Sequence, residues 1–496
     1  MKALVVHYHL KPGGVSTVIR RQLRALRGEG IDCALLLGEA PPSPLDTPCA
    51  LYVEPSLAYD APGDSPEGDE TKARAIAGAI ARAAEALGPD TVIHVHNPTL
   101  RKNSSLLAAL KLLAGRGLAL FLHVHDLAED WRPRAYSALP YPPSCAWAAI
   151  NGRDAQRLKD AGASRVSLLA NPVFSQAELD AYAASAAGGY PRQGPGANSP
   201  TGFPGDTFLY PVRGIRRKNL GEALLLSLFL PPGLRVGLTL PPSSPKDMPY
   251  FEGWRRLAAE LKAPLAFDLG LESSLDENYA RAAAVLTSSV KEGFGLSFLE
   301  PLARAGSRGE SLPILGRRIP YVCADFEEKG LSFPALYGEI RVPGGLYDER
   351  AMAERAQAAG LRCREAFGLA APASSLVGEL AALFAPGADF GRLDEVAQTQ
   401  VLLSVAGRAS CRQDMLAANP FLERWYQAGG PAATAGGRPA AELLAQWSES
   451  AYGRELRAAY EGFLDARESG AALDPPDKAA LLDLYITGSS FYAVGL

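Results

Sequence analysis

The 496 residues are 47% hydrophobic and 21% charged, the balance of a soluble globular chain too long for one core, so two or three domains are expected. Lys+Arg 50 against Asp+Glu 54 leaves a formal charge of -4, which gives no bulk attraction to nucleic acid or to an anionic membrane. No apolar run reaches membrane-spanning length, and Met1 to Val6 is too short for a signal segment, so a cytoplasmic protein with no transmembrane segment is expected. The cysteines (Cys33, Cys49, Cys145, Cys323, Cys363 and Cys411) show no Cys-x-x-Cys spacing and read as reduced thiols.

Lys2 to Tyr8 reads as a strand, Gly13-Gly14 as a turn and Ser16-Thr17 to Arg27 as a helix. Strand, diglycine turn and helix form a phosphate-approach geometry, although Gly-Gly alone is more often an ordinary tight turn. A second strand covers Ile31 to Leu37. Residues 40–70 are rich in Pro, Gly, Asp and Glu and read as a surface excursion. Lys72 to Leu87 is helical, Thr91 to His96 a strand, Ser104 to Ala114 a helix and Leu118 to His125 a strand. Ala146 to Asn151, Arg153 to Ala161 and Val166 to Leu169 continue the alternation, which predicts an open parallel sheet with its ligand edge at the strand C-termini.

All six histidines, at 7, 9, 94, 96, 123 and 125, fall in this first quarter, near strand ends. Imidazoles from neighbouring strand tips can converge on a metal. No acidic or Cys ligands at zinc-like spacing accompany them, so no metal is expected.

Pro-rich 188–205 reads as a linker, after which Thr207 to Tyr210 begins a second set of strands. The turn Pro211-Val212-Arg213-Gly214-Ile215-Arg216-Arg217-Lys218 enters a helix over Leu220 to Leu228, and its cations suit a diphosphate. Arg235 to Thr239 and Leu265 to Leu269 are strands flanking a helix over Phe251 to Leu261. Ala283 to Thr287 is a buried strand, and Ser297 to Ala305 opens as a helix with Ser297 as its N-cap. Between them Glu292-Gly293-Phe294-Gly295-Leu296 makes a glycine turn at a helix N-terminus, a ready anion site. Glu292 and Glu300 bracket it. Carboxylates accept hydrogen bonds from hydroxyls, so the pair suits a diphosphate carrying a hydroxyl-rich group on each side, as a nucleotide sugar does.

This Glu-(x)7-Glu string, with Gly-Phe-Gly-Leu inside, resembles the signature of retaining GT-B glycosyltransferases, closest to glycosyltransferase family 4. The resemblance covers about residues 1–370 and implies an α/β GT-B fold of two Rossmann-like parallel-sheet domains facing a cleft, plus a helical C-terminal extension. It implies an N-terminal domain over 1–173, a linker over 174–206, a donor domain over 207–385 and an extension over 386–496 that packs back on the N-terminal domain. By the same resemblance Glu292 holds hydroxyls of the donor hexose and Glu300 the ribose, Gly295 and Leu296 meet the diphosphate, and Gly293 and Phe294 belong to the same donor-binding turn. Arg213 and Lys218 contact that diphosphate, Gly13 and Gly14 approach it, and His125, in His125-Asp126-Leu127, bonds the hexose near C6. Asp126, Asp130, Trp131 and Arg132 fall on the acceptor side. Family members continue with a Gly-x-Pro turn and a strand, where this chain has Arg304 to Ser311 and then Leu312-Pro313-Ile314-Leu315-Gly316-Arg317.

The implied activity is metal-independent, cofactor-free transfer of a hexose, with retention, from UDP-glucose or GDP-mannose to a small soluble acceptor. A glycan phosphorylase or a sugar-nucleotide epimerase would share the scaffold. An NAD oxidoreductase fits less well, because Gly-x-Gly-x-x-Gly is absent from the first turn. The extension leaves open a non-catalytic binding protein, or pairing of two copies.

Overall fold

Short apolar runs, each followed by a helix, become the strands of two parallel sheets. The computed structural model describes residues 1–61, 68–187, 205–304, 312–369, 374–426 and 439–495. The first sheet has seven strands: β1 (Lys2–His7), β2 (Asp32–Leu37), β3 (Ala50–Val53), β4 (Thr91–His96), β5 (Ala119–Val124), β6 (Cys145–Ala149) and β7 (Val166–Leu168). Their order is β3-β2-β1-β4-β5-β6-β7, every pair parallel. The second has six: β8 (Thr207–Arg213), β9 (Arg235–Leu240), β10 (Leu265–Ala266), β11 (Ala282–Thr287), β12 (Ile314–Arg317) and β13 (Leu336–Tyr337), in the order β10-β9-β8-β11-β12-β13. Both sheets therefore reverse direction at one point, between β1 and β4 and between β8 and β11. Such a switch point is where an open α/β sheet leaves a crevice for a ligand at the strand C-termini.

Several local expectations shift. The excursion at 40–70 contains the exposed edge strand β3, with 62–67 outside the described residues. The strand expected over Leu265 to Leu269 ends at Ala266, because Asp268 turns in the left-handed region (φ 65°) and starts a short helix at Leu269. In the stretch after Arg304, 305–311 lie outside the described residues and Ile314–Arg317 forms β12. Within 174–206, Gln176–Ala187 is helical and 188–204 lie outside the described residues.

The chain divides into two compact units, one of Met1–Glu178, Ala366–Leu369 and Leu444–Ile486, the other of Leu179–Glu365, Ala370–Leu443 and Thr487–Leu496. Residues after 386 thus contribute to both. In the first unit the helix Glu449–Glu468 packs beside the helix Gly14–Gly28 on one face of the sheet. Two ion pairs fasten them: Arg24 to Glu449 (Nη2 to Oε1, 2.6 Å) and Arg457 to Glu29 (Nε to Oε2, 3.0 Å). The apolar core under these helices includes Val5, Ile19, Leu23, Val92, Phe121, Leu456, Tyr460 and Phe463. The opposite face buries Leu4, Val6, Ile76, Ile80, Ile93, Val95, Leu120, Leu122 and Trp147. This alternation follows from the two-residue period of a strand buried on both sides. All six cysteines are free thiols, and among the described residues no helix is long and apolar enough to cross a membrane.

Candidate functional site

The second switch point gathers the charged motif. β8 ends at Arg213, and the turn beyond it reaches a 3-10 helix over Arg216–Lys218. Asn219 then takes the left-handed conformation (φ 49°) and launches the helix Leu220–Leu228. β11 ends at Thr287 and leads into Ser288 to Gly295. The two loops are stitched together. The Val290 N–H donates to the Arg217 carbonyl (3.0 Å), and the Ser288 hydroxyl donates to the Lys218 carbonyl (2.9 Å). The Tyr210 hydroxyl donates to the same carbonyl (2.9 Å) and pairs with Ser289 Oγ (2.8 Å).

On this base Lys218 Nζ forms an ion pair with Glu292 Oε1. Glu292 is only 8% exposed. Burial alone would raise its carboxyl pKa, but Lys218 and Arg217 outweigh burial and hold it below the ordinary carboxylate range. Its backbone is clamped by Tyr321, whose hydroxyl donates to the Glu292 carbonyl (2.6 Å) and accepts from the Glu292 N–H (3.2 Å). The result is an ionised carboxylate in a fixed position beside an ammonium.

The turn that follows needs glycine at one place. Gly295 has φ 90°, and a Cβ there would lie 2.6 Å from Val322 Cγ1 and 2.8 Å from Phe298 Cδ2. It is Gly295, not Ser297, that caps the helix Leu296–Ala303, because the left-handed turn starts the helix one residue before Ser297. Among the described residues, no side chain caps that helix start. The dipole and the amides there favour an anion. Phe294 packs edge-on against Phe326 (5.5 Å), which anchors the turn from below. Glu300, on the same helix, is half-buried near the hydroxyl of Tyr279. Arg213 is half-buried at the tip of β8.

Arg317 is a functional-looking residue that local patterns did not single out. It is 2% exposed and bridges two carboxylates bidentately. Its Nε and Nη2 donate to Glu222 (2.8 and 2.6 Å), and Nη1 and Nη2 donate to Asp389 (both 2.7 Å). The Tyr337 hydroxyl and the Asn219 amide complete Glu222 (2.6 and 2.8 Å). Burial pushes the Glu222 carboxyl up, while the two carboxylates hold Arg317 charged. Through Asn219 this network fixes the backbone that carries Lys218.

In the first unit the switch point is built from imidazoles. The β1–β4 and β4–β5 registers put His7, His94, His96, His123 and His125 on the face beneath the helices Gly14–Gly28 and Glu449–Glu468. All five are buried, His125 at 4% exposure. The pKa of His7 and of His94 is pushed down to about 3 and that of His125 to about 4, in each case chiefly by burial. His96 and His123 are lowered well below 6.5 for the same reason. The rings are therefore neutral.

Asn97, at φ 51°, holds the backbone after β5: its Oδ1 accepts from the N–H of His125 (2.8 Å) and of Asp126 (3.3 Å). Asp126 pairs with Arg132 (3.4 Å), Asp130 pairs with Arg153 (3.1 Å), and Trp131 is buried at φ 60°. Gly13 and Gly14 are exposed at the head of their helix, and a Cβ on Gly14 would meet nothing within 4 Å.

Ligand atoms of His94, His96 and His123 lie within 4.8 Å of one another, close enough to raise the question of a metal. The set contains no thiolate or carboxylate. Both nitrogens of His94 and of His96 also already have hydrogen-bond partners. A cavity of about 760 Å³ lies at the N-terminal edge of the first sheet, lined by Gly88, Thr91, Arg116, Ala119 and Arg467 among others. That is the opposite edge from the switch point, so it is not the candidate site.

No family model matches the sequence, and no curated protein matches it either. Solved structures do. Sucrose-phosphate synthase from Thermosynechococcus elongatus is similar over 94% of this chain and 99% of its own, at 13% identity and a TM-score of 0.52. HepE of Anabaena in complex with UDP and glucose, and an α,α-trehalose-phosphate synthase (UDP-forming) from Burkholderia vietnamiensis, each reach a TM-score of 0.46 at 12% identity, over 93% of this chain and 99% of theirs. The structural neighbours are GT-B glycosyltransferases, and this chain has the GT-B fold: two Rossmann-like parallel-sheet units with additional C-terminal helices.

Proposed function

We propose that this chain is a retaining, family-4-like hexosyltransferase that uses a nucleotide-diphosphate sugar. One observation carries the reading: at the switch point of the second sheet, the Lys218 ammonium and the buried Glu292 carboxylate meet beside an uncapped helix start. A hexose hydroxyl finds an ionised acceptor in Glu292, and a diphosphate finds cations in Lys218 and Arg213 and amides at Gly295 and Leu296. Glu300 is proposed for the ribose. In the first unit, Gly13, Gly14 and His125 are the groups proposed to meet the donor, and Asp126, Trp131 and Arg132 to face the acceptor.

The leaving diphosphate is stabilised by side-chain cations, so no divalent metal is required and turnover in EDTA is expected to be unchanged. UDP-glucose and GDP-mannose are the favoured donors on the frequency of such donors in the resembling family, with a small soluble acceptor. The test is a thermal-shift panel of UDP, GDP, ADP, NAD and phosphate on wild type and Glu300→Ala. A ligand at 100 times its Kd stabilises the fold by about 2.7 kcal/mol, enough to read. One nucleoside diphosphate shifting wild type more than the variant supports the reading and names the donor class. A response to phosphate alone, or to NAD alone, replaces it with a phosphorylase or an oxidoreductase.

A further inference from the structure

The histidines under the first sheet are joined through one amide. Gln22, on the helix Gly14–Gly28, is fully buried, and its two ends face two different rings. Gln22 Oε1 lies 2.6 Å from His96 Nε2, and Gln22 Nε2 lies 3.2 Å from His94 Nδ1. From His96 the chain continues to His125, Nδ1 to Nε2 at 2.8 Å. From His94 it continues to His123, Nε2 to Nδ1 at 3.1 Å, while His94 Nδ1 also meets the Tyr460 hydroxyl at 2.7 Å.

Proton positions follow by elimination. An amide oxygen only accepts, so His96 carries its proton on Nε2. A neutral imidazole has one N–H, so His96 Nδ1 is an acceptor and His125 must donate to it from Nε2. We propose that Gln22 is a positioning residue that sets the tautomer of His125 through His96, placing its proton on Nε2 and leaving Nδ1 as the ring's only acceptor. The catalytic consequence rests on the proposed function: a histidine that accepts from a donor-sugar hydroxyl at Nδ1 must not carry a proton there. Reversing the Gln22 amide reverses the whole chain and puts the His125 proton on Nδ1. The two orientations therefore make opposite statements about one atom.

Histidine-selective ¹⁵N labelling of the full chain decides between them. The chain has six histidines, so the spectrum holds few ring nitrogens. The His125 pair is identified by its disappearance in His125→Asn. The expected wild-type spectrum shows His125 Nε2 as a protonated nitrogen and Nδ1 as a bare one. In Gln22→Met the His125 signals move toward a mixture of tautomers, and kcat falls about 10–100-fold with KM little changed, the range for losing a group that orients a functional histidine. A wild-type proton on Nδ1 overturns the proposal, as does a Gln22→Met spectrum unchanged at His125. So does a stoichiometric transition metal in the purified protein, which would make these nitrogens ligands. The wild-type spectrum decides even if the variant fails to fold. Absence of glycosyl transfer with the expected spectrum removes the proposed function and leaves the tautomer assignment standing.

Discussion

The two sheets share one strand order, yet their switch points are furnished in opposite ways. The first is lined by neutral imidazoles in tilted and edge-on contact, all held below their ordinary pKa by burial. The second is lined by buried ion pairs, Lys218 with Glu292 and Arg317 with Glu222 and Asp389. Topology thus fixes where a crevice can form, and the side chains buried beside it differ: neutral imidazoles in one unit, ion pairs in the other. The difference has consequences for acid, for mutation and for the two glycine turns.

Acid should produce the largest effect, and in the first unit. Each buried histidine has a folded pKa below the 6.5 of the unfolded chain, so below pH 6.5 the unfolded state binds protons that the folded state refuses. Stability is then complete above pH 6.5 and falls as pH drops toward 4, by about 1.4 kcal/mol per unit for each ring. For the five rings together the loss at pH 5.5 is at most about 7 kcal/mol, comparable with the whole stability of a domain. Hydrogen exchange in β4 and β5 should accelerate between pH 6.5 and 5 while β8 and β11 change less. Equal protection of β4 and β5 at both pH values would remove the argument.

The second unit should instead break when a charge is removed. Arg317→Met leaves Glu222 and Asp389 buried without their cation and should lose about 3–5 kcal/mol, read as a lower urea midpoint. Lys218→Met acts on the site itself. It should lower kcat by about 10²–10³-fold, the scale of losing one group aimed at developing charge. It should also raise the Glu292 pKa, moving the acidic limb of the pH–rate profile upward, because the cation holding that carboxyl down is gone. A profile that keeps its shape would show that Glu292 does not depend on Lys218.

What was legible in the sequence was local. Glu292 to Glu300, the cationic turn at Arg213 to Lys218 and nearly every core strand are contiguous segments whose period or spacing shows directly. The two His-x-His pairs were visible as pairs. Their partners were not, since Tyr460 meets His94 across 366 residues and Gln22 meets it across 72. Arg317 looked like the end of an unplaceable stretch because its carboxylates lie 95 residues before it and 72 after it. β3 and β13 were missed for different reasons: Ala50–Val53 is an exposed edge with no buried pattern, and Leu336–Tyr337 is too short to have a period.

The glycine turns provide the smallest and most discriminating contrast. Gly295→Ala forces a Cβ against Val322 and Phe298 at a φ of 90°, so it should cost about 1–3 kcal/mol whether or not a donor binds. Gly14 opens a helix, and a Cβ there touches nothing within 4 Å. Gly14→Ala should therefore leave stability unchanged or raise it by up to about 1 kcal/mol through the unfolded state. Among the described residues, nothing in the packing explains a glycine at that position. If Gly14→Ala melts like wild type but raises KM for the nucleotide sugar, the space over that turn belongs to the ligand. If both melting and KM are unchanged, Gly14 is an ordinary turn glycine, and contact with the donor at this loop must be sought at Gly13, whose added Cβ would come no closer than 3.9 Å to the Lys11 carbonyl oxygen.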